Sequence, residues 1–402
     1  MRGGVAFAAV AADESRAAEV GRDVLQGGGN ATDAAVAMYF AMAVTLPSAA
    51  SLGAAGVCIV HDSKSKASAA FVFAPVAAPG GIRGTSIIVP GGTRAMALMH
   101  TRHGQARWEA TVAPGERLAR LGVPVSRALA RDLQAGAVAL GADPESRRIY
   151  GRGTGTAVTE GDNFVQTDLA ATLGVLRQRG GVDLSQGSLA RLVSEQITQL
   201  GGSMPVETMR NTVPQAGLPA TERFGSFGGF RVYAAPAPMA GATALAGWNG
   251  QSGPGGAAPS DSNGIAGFAA MDEKGGAAAC SVSMGQLFGA RVTVPGTGIL
   301  LATSTPDSTS ISPLVIGNPG NGEVLFAGAG GGSPAAAYAT GVIARNTVDR
   351  RQYVSAALKA RGGQGGYVNA IACPDGIKSG GASCNSGADP AGTGLALLAT
   401  TR

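Results

Sequence analysis

From Ala34 to Leu46 the chain carries no charged side chain; Thr45 is its one polar break before Pro47 closes it. The run is shorter than the roughly 18 apolar residues that span a bilayer, so it is expected as a helix buried in protein. A helix with no face for water must be covered on every side, which requires a layered fold with several elements around it. Its start is written out in residue types. Gly27-Gly28-Gly29 stop a preceding helix, Asn30 is suited to cap the next, and Asp33 follows three positions later, where the two side chains meet orphan backbone N–H groups.

The rest of the composition agrees with a large buried interior. Hydrophobic residues reach 45% while charged residues stop at 14%, so a globular chain of two or three domains, or one large unit, is expected from its 402 residues. With 64 glycines and aromatics at only 5%, the interior must be filled by backbone packed closely against backbone. The net charge of +5 is spread along the chain without a Lys/Arg run, which argues against nucleic acid as a partner. The N-terminal Met1-Arg2-Gly3-Gly4-Val5-Ala6-Phe7 is too short for a signal peptide. A cytoplasmic location is the default expectation, and an upstream signal peptide would move it to the periplasm.

Cys58, Cys280, Cys373 and Cys384 form no C-x-x-C pair, so no zinc or thioredoxin-type site is expected. Buried free thiols are the favoured reading, with a Cys373–Cys384 bridge the alternative in an oxidising compartment. His100 and His103 lie three apart on one helix face with no third ligand in sight, and read as a solvated face rather than a metal site. Asp13, Glu14 and Arg16 read as the charges of a first helical turn. No metal or other cofactor is expected.

Along the chain, Val5 to Val10 reads as a strand, Asp13 to Gln26 as a helix, and Val57 to Val60 as a buried strand. Helices are expected at Arg94 to His103, Trp108 to Leu121, Ser126 to Leu140, Leu169 to Arg179 and Leu189 to Leu200. Residues 248–263 are rich in Gly, Pro and Ser and read as a linker between a helix-rich region (1–247) and a strand-rich region (264–402) that share one core. Strands are expected at Phe268 to Met271, Ala277 to Met284 and Gly298 to Leu301, the first two joined by the turn Asp272-Glu273-Lys274-Gly275-Gly276.

These segments, in this order, resemble the gamma-glutamyltransferases, N-terminal-nucleophile hydrolases with an αββα sandwich. The resemblance rests on Gly28-Gly29-Asn30-Ala31-Thr32-Asp33-Ala34-Ala35-Val36-Ala37, on Val89-Pro90-Gly91-Gly92, and on Gly122-Val123-Pro124-Val125-Ser126. It continues through Val232-Tyr233-Ala234-Ala235-Pro236, Pro295-Gly296-Thr297-Gly298-Ile299-Leu300-Leu301 and Gly387-Ala388-Asp389-Pro390. It implies an α/β fold of four layers and a ligand of gamma-glutamyl or amino-acid type, with no membrane partner.

The resemblance also implies a nucleophile that this chain lacks. Family members use a threonine freed by self-cleavage, whose own amine serves as base. The matching position, three residues before the aromatic Phe268, is Ile265. Ser262 is the nearest hydroxyl but lies an odd number of residues away, which along a strand turns it to the other face. Cys280 is a further nucleophile candidate and reads as a buried structural thiol. The family arginine that clamps the substrate carboxylate corresponds to Pro75, and the asparagine that orients the threonine to Gly285. Ser283, Asp307, Thr309 and Ser310 match substrate-binding positions, and Gly331 and Gly332 match the two oxyanion-hole amides. Because Asp307 runs directly into the Thr309–Pro313 turn, the family's covering loop is missing and an open site is expected. Three readings follow: a degenerate protein that binds a small molecule, an amidohydrolase or transferase with a non-standard nucleophile, and a structural partner of an active paralogue or an oligomer.

Overall fold

The computed structural model describes residues 7–152, 156–224, 229–253, 264–362, 364–377 and 381–399, with residues 222–224 described by backbone alone. Thirteen strands form the two large sheets: Ala9–Ala12 (β1), Ala55–Asp62 (β2), Ala67–Phe73 (β3), Gln215–Gly217 (β4), Ala220–Phe224 (β5), Phe230–Ala234 (β6), Ile265–Met271 (β7), Ala277–Ser283 (β8), Leu314–Gly317 (β9), Val324–Gly331 (β10), Tyr367–Ala372 (β11), Asn385–Ala388 (β12) and Leu395–Leu398 (β13). One sheet runs β13-β1-β7-β8-β2-β3-β4 and the other β12-β11-β10-β9-β6-β5. Strands from both ends of the chain therefore interleave in the first sheet, where β7 lies between β1 and β8.

Seven helices of twelve or more residues share a core with the outer face of the first sheet among the described residues: Ser15–Gln26 (α1), Ala31–Thr45 (α2), Gly92–His103 (α3), Trp108–Leu121 (α4), Arg127–Leu140 (α5), Thr167–Arg179 (α6) and Ser188–Gln199 (α7). Gly241–Asn249 (α8), Ala336–Val348 (α9) and Val354–Arg361 (α10) cover the second sheet. The layers are α, β, β, α, as in N-terminal-nucleophile hydrolases. Every residue of α2 is buried, and the Asn30 side-chain Oδ1 and Asp33 carboxylate accept each other's backbone N–H at 3.0 and 2.9 Å.

Strand alternation sorts the side chains between layers. On β7, Ala266, Phe268 and Ala270 face the helices, whereas Ala269 and Met271 face the second sheet with Val315, Ala327 and Ile371. The glycine and alanine excess is used between the sheets. A methyl added at Gly267 would lie 2.8 Å from the Ala329 backbone, so β7 and β10 approach as closely as they do because that side chain is missing.

Three expectations change. Cys58 and Cys280 face each other in β2 and β8 and form a disulfide, as do Cys373 and Cys384, so the cysteines are not free thiols and Cys280 is no nucleophile. The cross-strand register that sets the first pair opposite one another is invisible in sequence spacing. Trp248 and Asn249 end α8 rather than open a linker, and residues 254–263 lie outside the described residues. β1 begins at Ala9; Val5 and Ala6 lie outside the described residues. No helix among the described residues is long and apolar enough to cross a membrane.

Candidate functional site

Ile265 opens β7 directly opposite Ser283 on β8. Its carbonyl accepts the Gly332 N–H at 2.9 Å, which ties the start of β7 to the loop that follows β10. The Ile265 side chain is 2% exposed and packs in one apolar cluster with Val57, Val72, Ala235, Met239 and Ile311. Ile311, inside the turn 309–313, and Met239 belong to the same apolar cluster.

The two glycines expected to form an oxyanion hole do lie against Ile265. A methyl at Gly331 would meet the Ile265 carbonyl oxygen at 2.9 Å and the Asp13 carboxylate at 2.1 Å. Gly332 has φ +72° and its N–H is already given to Ile265, so it is not free to meet a developing oxyanion.

Ser283 is fully buried and accepts the Gly285 N–H at 3.0 Å. Gly285 has φ +83°, and a β-carbon there would sit 2.1 Å from the Thr303 carbonyl oxygen. The 3-10 turn Pro306–Thr309 holds this arrangement in place. The Thr305 hydroxyl donates to the Gly285 carbonyl at 2.7 Å, and the Ser308 hydroxyl accepts the Thr305 N–H at 2.9 Å. Asp307, Thr309 and Ser310 are partly exposed on that turn. Pro75, just past β3, is also partly exposed, and Ser262 lies outside the described residues.

The polar groups that do meet beside Ile265 are ones the sequence did not single out. A small cleft is lined by Asp13, Arg131, Asp132, Ile265, Gly332 and Tyr367. Asp13 follows β1 and is 8% exposed. It accepts the Gly267 N–H at 2.7 Å and the Asn369 amide at 2.7 Å. Burial pushes its carboxyl up to about 6, against the lowering effect of those two hydrogen bonds and of the Arg131 charge. Arg131 donates to Asp132 at 3.1 Å and to the Tyr367 hydroxyl at 3.2 Å, and the Ser48 hydroxyl donates to Asp132 at 2.5 Å. Glu14 is fully buried, accepts the Ala17 N–H and the Thr45 hydroxyl, and is likewise pushed above the usual carboxylate range by burial. Glu14 thus caps the first turn of α1, as a charge at a helix start can, but both it and Asp13 are buried.

His100 and His103 are also largely buried rather than solvated. The His100 ring lies 3.0 Å from the Ala106 carbonyl oxygen and 3.4 Å from the Asp33 carboxylate, and His103 lies 3.5 Å from the Asp62 carboxylate. No group of three or more potential metal ligands occurs among the described residues.

The chain was compared with known proteins. Residues 17–253 match the family model of gamma-glutamyltranspeptidase. The glutathione hydrolase proenzyme of Escherichia coli (strain K12) is 31% identical over 254 residues, which cover 58% of this chain and 42% of that protein. The proenzyme of Bacillus subtilis (strain 168) is 28% identical over 252 residues, with the same coverage. The chain thus matches about two fifths of the length of these relatives. Among solved structures, cephalosporin acylase from Bacillus halodurans superimposes with a TM-score of 0.78 at 18% identity, over 98% of this chain and 96% of that one. Helicobacter pylori gamma-glutamyltranspeptidase does so with 0.54 at 25% identity, over 62% and 74%. The capped helix, the order of the elements and the family match over residues 17–253 lead to one conclusion: this chain belongs to the gamma-glutamyltranspeptidase family.

Proposed function

We propose that this protein is a family member in which self-cleavage and ordinary gamma-glutamyl transfer are lost and a binding role remains. The observation that carries this reading is Ile265, an aliphatic side chain 2% exposed and packed among Val57, Val72, Met239 and Ile311 where the resemblance places the threonine hydroxyl. Self-cleavage begins with attack of that hydroxyl on the preceding peptide, and an isoleucine has no atom that can start it. The cleft beside it offers carboxylates, a guanidinium and a phenol, but Arg131 and Asp132 are engaged with each other. Asp307 supports a residual role in holding an ammonium group, since it is a partly exposed carboxylate at a matching substrate position. The two disulfides favour an oxidising compartment over the cytoplasm.

The test is the mass of the purified chain together with an assay for release of an aniline from a gamma-glutamyl anilide. One species near 39.6 kDa and no release are expected. Two fragments meeting at Ile265 or Ser262, or turnover by the intact chain, would refute the proposal and favour a transferase or hydrolase with a non-standard nucleophile.

A further inference from the structure

A second cavity lies at the opposite end of β7 and β8 from Ile265, bounded by the turn between these strands, the end of β2 and the end of α3. Its volume is about 210 Å³, enough for a small anion and too little for a tripeptide. Lys64, Arg102 and Lys274 line it, with His103 deeper among them.

Two carboxylates, Asp62 and Asp272, also line the cavity, and among the described residues neither forms an ion pair with the three cations. Asp272, 8% exposed, accepts the backbone N–H groups of Lys274 and Gly276 at 3.0 and 2.9 Å and that of Ala31 at 3.0 Å. Asp62 accepts the N–H groups of Lys64 and Ser65 at 2.8 and 3.3 Å and lies beside His103; these contacts hold it below the usual carboxylate range against partial burial. The two carboxylates are thus occupied by backbone and by an imidazole. The cations have no carboxylate partner among the described residues. Lys274 reaches only the amide oxygen of Gln105 at 3.4 Å, and Arg102 lies over the Phe71 ring at 6.0 Å. Of the first amides of α2, those of Ala31 and Asp33 are already taken by Asp272 and Asn30.

We propose that this cavity binds a compact doubly charged oxyanion, held by Lys64, Arg102 and Lys274. Three cations that line a polar cavity of this size gain most from a ligand that carries two charges on few atoms, because each charge-assisted hydrogen bond needs its own acceptor oxygen. The site is separate from the Ile265 cleft, so it stands whether or not the chain retains catalysis.

Calorimetric titration of the whole protein with inorganic phosphate at low salt tests it. Saturable binding of one equivalent below about 10 mM is expected, weakened at least about fivefold in Arg102→Gln/Lys274→Gln. Lys359→Gln, on α10, serves as the control for diffuse surface charge and should leave the affinity unchanged. Arg102, Lys274 and Lys359 are exposed, so the variants should melt with the wild type. Absence of saturation, a smaller loss in the double variant, or an equal loss in Lys359→Gln would each overturn the proposal.

Discussion

Asp13→Asn should stabilise the protein progressively as pH rises. The Asp13 carboxyl titrates near 3.8 in an unfolded chain and is pushed up to about 6 in the fold, chiefly by burial. A carboxyl raised in the folded state binds a proton more tightly there than when unfolded. Its contribution to stability is therefore present below about pH 4 and lost as pH climbs through about 6. Two units correspond to about 3 kcal/mol, of which about 2 to 3 kcal/mol falls between pH 4 and 7.5. Asparagine keeps the shape and does not titrate. The variant-minus-wild-type difference should therefore grow by that amount over this range, whatever constant offset the altered hydrogen bonds to Gly267 and Asn369 introduce. For 402 residues the unfolding entropy is about 0.8 kcal/mol per degree, so the melting temperatures should separate by about 3 °C more at pH 7.5 than at pH 4. Differential scanning calorimetry across that range is the assay. A difference that stays flat, or grows toward acid, would mean that Arg131 and the two hydrogen bonds outweigh burial, and the account of Asp13 would be wrong.

Ile265→Thr should neither split the chain nor release aniline from a gamma-glutamyl anilide, because Pro75, Gly285 and the Gly332 N–H remain as they are; measurable release would refute this. Gly285→Asn, which restores the family residue, should lower the melting temperature by about 2 to 5 °C, since φ +83° and a β-carbon 2.1 Å from the Thr303 oxygen together cost about 2 to 4 kcal/mol. An unchanged melting temperature would show that the 303–310 segment yields freely. Alkylation of the native protein should label no cysteine, and Cys58→Ala/Cys280→Ala should cost more stability than Cys373→Ala/Cys384→Ala. The first bridge spans 222 residues and the second 11, worth about 5 and 3 kcal/mol in loop entropy.

The helical half was legible because its signals are local. The Asn30–Asp33 box and the apolar run that follows it depend on residues within a few positions, and α2 begins where those residues place it. The disulfides, the environment of Asp13 and the packing of Ile265 depend instead on strand register and on which face of one sheet meets the other. Cys58 and Cys280 are 222 residues apart, and nothing near either one states that β2 and β8 pair with those two opposite. The Asp13 partners, Gly267 and Asn369, come from β7 and β11, so its burial could not be read from the turn in which it sits.

The departures from the family pattern around Ile265 fit one another, and this bears on what the chain has become. An isoleucine at a site still shaped for threonine would clash or leave polar groups stranded. Here its side chain meets Val57, Val72, Met239 and Ile311, and its carbonyl takes the Gly332 N–H. At Gly285 the loss of the side chain is what lets the Thr303 carbonyl approach, and that approach lets the Thr305 hydroxyl reach the Gly285 carbonyl while Ser308 closes the turn. Both positions, Ile265 and Gly285, thus have close contacts of their own with neighbouring residues. On the proposed reading, a hydroxyl nucleophile at position 265 would have to be recovered against two sets of contacts, those of the turn Pro306–Thr309 at Gly285 and those of Met239 and Ile311 at Ile265.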